Sequence, residues 1–127
     1  MGTVVTSRSR WLTYLGSGLL VIMALFHGSG LGYVSGLMAS SNAPDFLKDI
    51  FGPLFAHASF HLLSLAAFGI LSLFLGEGRK KVLQLLAVLI FLDAILGFYL
   101  GGIIPGGLLS LAAGIFLLAS RKAGTGS

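Results

Sequence analysis

Four side chains in this sequence are of kinds that bind metals, ligate haem or move protons, and each lies in a stretch made otherwise of Leu, Ala, Ile, Phe and Gly: His27, His57, His61 and Asp93. His57 and His61 are four residues apart, so on a helix they project from one face, about one turn from each other. Two such imidazoles can share a metal ion. With His27 and Asp93 they make a nitrogen and oxygen shell suited to a transition metal such as zinc, copper or non-haem iron. His27 and one of the later histidines also match the two axial ligands of haem b held between helices. In a third arrangement Asp93 exchanges protons with the histidines as a relay. The competing reading is structural, with the four groups serving one another as interhelical hydrogen-bond partners. Positions 58 and 59 are Ala and Ser, so the His-x-x-x-His spacing lacks the glutamate of a zinc hydrolase. No motif marks the chain as an enzyme acting by itself, and no catalytic residue is assigned.

The elements that must position these groups follow from the distribution of charge. Hydrophobic residues make up 56% of the 127 residues and charged residues 9%, against roughly 25% charge in an ordinary soluble domain. Uncharged runs cover 11–44, 50–76 and, with Asp93 the one interruption, 82–120. Runs of about 18 or more apolar residues are long enough to cross a bilayer. The expected fold is therefore all-α: a single transmembrane domain over 1–127, an integral membrane four-helix bundle with spans at about 11–38, 53–75, 82–101 and 103–120. The stretch from Val82 to Ser120 would be about 58 Å long as one helix, nearly twice the hydrocarbon thickness, so it must fold back. Gly101-Gly102-Ile103-Ile104-Pro105-Gly106-Gly107 supplies the turn at its midpoint. No internal repeat is evident.

Lysine and arginine set the expected orientation. Both termini and the 76–82 loop lie on one side of a four-span chain, with the topology anchors Arg79, Lys80, Lys81, Arg121 and Lys122 together with Arg8 and Arg10, whereas the other side has Lys48 alone. This asymmetry makes the N and C termini cytoplasmic, and a compact chain of this type suits a bacterial inner (plasma) membrane. The net charge of +4 thus reads as anchoring to membrane lipid, with no nucleic acid as partner. Zero cysteines exclude disulfides, thiol catalysis and iron–sulfur ligation. The segment after Arg10 is too long for a signal-peptide core, Met1-Gly2 with Thr6 matches only a loose acylation pattern, and 121–127 reads as a flexible tail. In the outer loop, Phe46, Leu47, Ile50, Phe51 and Leu54 share one arc of a helical wheel. They predict a short interfacial helix, with Gly52-Pro53 turning the chain into the second span.

Depth and direction bring the polar groups together on paper. His61 lies about 12 Å below the outer boundary counted from Pro53, and Asp93 about 16 Å from the inner boundary counted from Val82. His57, His61, Ser64, Phe68 and Ser72 span an arc of about 80° and form a polar stripe expected to face inward. Asp93 shares a face with Gly97 and Gly101, and the last span repeats the device with Gly106, Ser110 and Gly114, two small-residue seams for helix packing. Gly28, Gly30, Gly32 and Gly36 allow close packing or a break near His27. The leading expectation is a small accessory or scaffolding subunit that packs within a larger membrane assembly of other subunits or a homo-oligomer. The alternative is a haem- or metal-binding membrane redox protein using the cluster in the outer half of the bundle, and the third is a small proton-linked transporter.

Overall fold

The computed structural model describes residues 7–123; the acylation-like motif at Met1-Gly2 and the 124–127 end of the expected tail lie outside the described residues. Among the described residues the chain is all-helical, and four helical stretches are long and apolar enough to cross a membrane, Ser7–Ala39, Asp45–Phe74, Gly76–Gly101 and Ile103–Ala123. Five α-helices make up these stretches: α1 Ser7–Ser29, α2 Leu31–Ala39, α3 Asp45–Leu71, α4 Arg79–Gly101 and α5 Ile103–Ala123. Two single 3₁₀ turns, Ser72–Phe74 and Gly76–Gly78, join α3 to α4. The start of α1, the end of α5 and this connection lie at one end of the bundle, the terminal end. The 40–44 loop and the α4–α5 turn lie at the other, the loop end.

The first span breaks where its glycines begin. The α1 hydrogen-bond ladder stops at Ser29, Gly30 N–H bonds back to His27 C=O at 3.1 Å, and Gly30 C=O accepts from Val34 N–H at 3.0 Å. The hairpin between α4 and α5 narrows to the single residue Gly102, at φ 87° and ψ −163°, a conformation that glycine alone adopts readily. Pro105 falls in the first turn of α5, where an amide N–H would have no helical acceptor.

Three expectations need correction. The 45–52 segment is no separate interfacial helix, because α3 runs unbroken from Asp45 to Leu71, about 40 Å, with Pro53 inside it. Proline removes one hydrogen bond from the ladder without being able to end a helix that continues on both sides. Pro44 instead marks its start, with Leu47 and Lys48 N–H bonding to Pro44 C=O. The 121–127 tail is helical through Ala123 as the last turn of α5. The polar stripe expected to face the core does so only at its end: Ser72, in the 3₁₀ turn after α3, is buried, whereas His57, His61, Ser64 and Phe68 are exposed and Leu62, Leu65, Ala66 and Gly69 form the buried face of α3.

Buried side chains are confined to the terminal half and the middle of the bundle. Leu20 and Ala24 of α1, Leu62, Leu65 and Ala66 of α3, Leu83, Leu86, Ala87, Ile90 and Ala94 of α4, and Leu109, Ala112, Ala113, Phe116 and Ala119 of α5 form one cluster. Phe116 is its keystone, fully buried, with its ring lodged between two glycines. A Cβ on Gly16 would come within 2.9 Å of that ring, and one on Gly69 would meet both the ring and Ser17 Oγ. Towards the loop end α4 and α5 stay paired, with Gly97 against the Gly106 backbone. Neither α2 nor the 45–61 part of α3 buries any residue.

Candidate functional site

The histidines and Asp93 divide into two separate arrangements. His61 Nε2 donates to Asp93 Oδ2 at 2.9 Å and joins α3 to α4. The pair sits at the rim of the packed core, beside Leu62 and Ala94, the last buried residues of their helices towards the loop end. Along the helices His61 is about 15 Å from Leu71, and Asp93 about 21 Å from Arg79, well inside the apolar stretch. The pair is nevertheless open sideways, with 42% of the His61 side chain and 24% of the Asp93 side chain exposed. His57 lies one turn further on the same open side, its ring nearly parallel to that of His61 with centroids 6.4 Å apart.

His27, at the end of α1, is held elsewhere. Its Nδ1 is hydrogen-bonded to Ser59 Oγ at 3.1 Å, and its ring stacks on Phe55 at 4.1 Å. At 100° per residue Ser59 is turned about 160° away from both His57 and His61, and Phe55 about 160° from His57 and about 120° from His61. The helix that carries His27 therefore docks on the side of α3 opposite the open histidines. Among the described residues no group of three or more His, Cys, Asp or Glu is placed to hold a metal ion. The four-residue shell expected from depth and helical-wheel direction is not assembled among the described residues. Depth was shared; direction was not.

The packing seams are placed unevenly. Gly97 and Gly106 meet at the α4–α5 contact, Gly101 lies against the Pro105 ring, and Ser110 Oγ donates to Gly106 C=O at 2.9 Å. Gly114 is exposed with nothing near its Cβ position, so it does not extend the seam.

The largest departure from expectation is Arg79, read from sequence as a topology anchor. Its side chain is 1% exposed, inside the bundle, and Nη2 donates to Thr13 Oγ1 at 3.0 Å. Lys80, Lys81, Arg121 and Lys122 are exposed, as anchors must be. Thr13 belongs to a spacing that sequence reasoning passed over: Ser9, Thr13 and Ser17 recur every four residues and continue into Leu20 and Ala24, all of them buried. That stripe was a legible signal for the inward face of α1. No family model, curated protein or solved structure matches this chain.

Proposed function

We propose that the chain is a small subunit of a larger membrane assembly and that its docking face is the open side of α3 and α4 around His61 and Asp93. The open acid–base pair carries this reading. Ionisable groups inside a membrane face a bundle interior or a wet cavity, since an ionised Asp near the bilayer centre costs about 2.5 to 3.5 kcal/mol on insertion scales. Here the fold covers the pair on the core side only. Another subunit, or a second copy of the chain, completes its shelter. The exposed Phe60, Phe91, Leu92 and Leu96 nearby supply apolar contact around it. We extend this reading to a bacterial inner membrane with both termini cytoplasmic; the six exposed basic side chains at the terminal end, Arg8, Arg10, Lys80, Lys81, Arg121 and Lys122, support that orientation.

Native mass spectrometry of the protein extracted with its surrounding lipid tests this reading. The expected result is a defined complex that loosens in a His61→Leu/Asp93→Leu double variant. A monomer whose Asp93 is freely hydrated would refute it. The 2.9 Å His61–Asp93 hydrogen bond also favours a second reading, proton exchange along the pair, which predicts proton flux in liposomes that Asp93→Asn abolishes.

A further inference from the structure

Between α1 and α5 the bundle surface carries a groove of about 570 Å³, walled by Trp11, Leu15, Gly18 and Ile22 of α1 and by Leu111 and Ile115 of α5. Gly18 gives it depth, because nothing lies within 4 Å of its Cβ position. Trp11 and Ile22 are separated by about 16 Å along the helix, close to the roughly 15 Å of hydrocarbon in one leaflet. The groove thus has the length and the apolar walls of a slot for an acyl chain. Towards the start of α1 its wall turns amphipathic. Trp11 and Tyr14 line that end and are exposed, as indole and phenol rings are where they meet lipid headgroups.

Two cations stand over this mouth. The hydrogen bond from Ser9 Oγ to Ala119 C=O, 2.8 Å, fixes the register of the antiparallel α1–α5 pair, so Ser9 and Ala119 share a level. Arg8 and Lys122 follow about 2 Å and 5 Å further towards the terminal end. At 100° per residue Arg8 is about 20° from Leu15 and about 60° from Trp11 around α1, and Lys122 is about 20° from both Leu111 and Ile115 around α5. Both side chains are exposed. Arg10 and Arg121 are exposed too, but they are turned about 140° from Leu15 and about 120° from Ile115, to the sides of the slot.

We infer that the α1–α5 groove binds one anionic glycerophospholipid, its phosphate between Arg8 and Lys122, its glycerol beside Trp11 and Tyr14, and one acyl chain over Gly18. Apolar length and cationic mouth match the two parts of such a lipid in their natural order along the membrane normal. A second copy of the chain fits less well. Copies in one membrane share an orientation, so a second copy would bring its own cationic end against Arg8 and Lys122, where like charges repel. The slot is separate from the His61–Asp93 face, which lies between α3 and α4, and is occupied whether or not that face has a partner. A basic side chain at a membrane surface favours anionic lipid by about fivefold, so two favour it over a zwitterionic lipid of the same chains by about 25-fold.

Trp11 is the one tryptophan of the chain, so its fluorescence reports on the groove alone. The full chain is reconstituted in phosphatidylcholine vesicles with rising fractions of phosphatidylglycerol whose acyl chains carry bromine, a contact quencher. The expected result is saturable quenching of Trp11, half complete at roughly one anionic lipid in 25. Arg8→Gln/Lys122→Gln should move that midpoint up by about tenfold. Arg10→Gln/Arg121→Gln removes the same charge beside the slot and should leave it in place. Gly18→Leu, which fills the floor without touching either cation, should weaken the preference severalfold. Quenching that rises in simple proportion to the brominated fraction, equal shifts in the two charge variants, or a Gly18→Leu curve that overlays the wild type would each overturn the inference. A Trp11 that brominated lipid never reaches would overturn it as well, and would assign the groove to a second copy or another subunit.

Discussion

Replacing Gly69 by alanine adds one carbon at the most crowded point of the bundle. That carbon would fall on Ser17 Oγ and come within 2.9 Å of Phe116 Cε1. The ring has little room to yield, because Gly16 closes its other side, where a Cβ would stand 2.9 Å from Cε2, and Phe116 is fully buried. Overpacking of this kind costs about 1 to 3 kcal/mol. Alanine returns up to about 1 kcal/mol through its better helix propensity. The expected net loss is about 1 to 2 kcal/mol. Gly18 provides the internal control: it is on the same helix as Gly16, but nothing lies within 4 Å of its Cβ position, so Gly18→Ala should be neutral or stabilising by up to about 1 kcal/mol. Reversible unfolding in mixed micelles, followed by circular dichroism, measures both. Phe116→Leu should absorb much of the Gly69→Ala penalty, leaving a coupling energy of about 1 kcal/mol in the double-mutant cycle. Equal effects at Gly69 and Gly18, or zero coupling with Phe116, would show that the ring does not occupy this slot.

Further outcomes follow from the same geometry. Gly102→Ala should cost about 1 to 3 kcal/mol, because the residue combines φ 87° with ψ −163°, and unfolding in micelles will register the loss; a neutral result would mean the hairpin turns elsewhere. Asp93→Asn keeps a hydrogen-bonding group for His61 and should weaken assembly less than Asp93→Leu does. Interhelical polar contacts in membranes are worth about 0.6 to 1.7 kcal/mol, so Asp93→Leu should shift the association constant by roughly 3- to 20-fold in a dilution series read by single-molecule photobleaching. For the haem or metal reading, the visible spectrum and metal content of the purified protein decide. With His27 on Ser59 and Phe55, the expected result is no Soret band and no stoichiometric metal; a band lost in His57→Ala would reverse that expectation.

Much of the fold was legible because crossing a bilayer is a demand on length and polarity that each segment meets alone. The uncharged runs marked the four spans, Gly101 to Gly107 marked the hairpin, and the glycines from Gly28 onward marked the break beside His27. The candidate site was legible only in its composition. His61 and Asp93 do meet, but His27 faces away from them, and the stripe expected to be buried is open from His57 to Phe68 and buried only at Ser72. Periodicity of apolar residues tells inside from outside when the outside is water, and in these spans the four-residue spacing of Ser9, Thr13 and Ser17 on α1 is what kept such a record. Lipid is as apolar as a helix core, so a spanning helix carries little record of which face meets a neighbour.

Local physical chemistry thus determined that the chain is apolar, helical and able to span four times. What the tertiary structure decided was rotation. A helix turned by half a circle separates His27 from His57, and the Arg79 side chain leaves the row of surface anchors for the inside of the bundle, where Thr13 of the opposite helix α1 receives it. Those outcomes depend on small residues that let two particular faces approach, Gly16 and Gly69 around Phe116 and Gly97 against Gly106, and on side chains far apart in sequence. Such pairings are long-range choices among nearly equivalent apolar faces, and the packed bundle makes them.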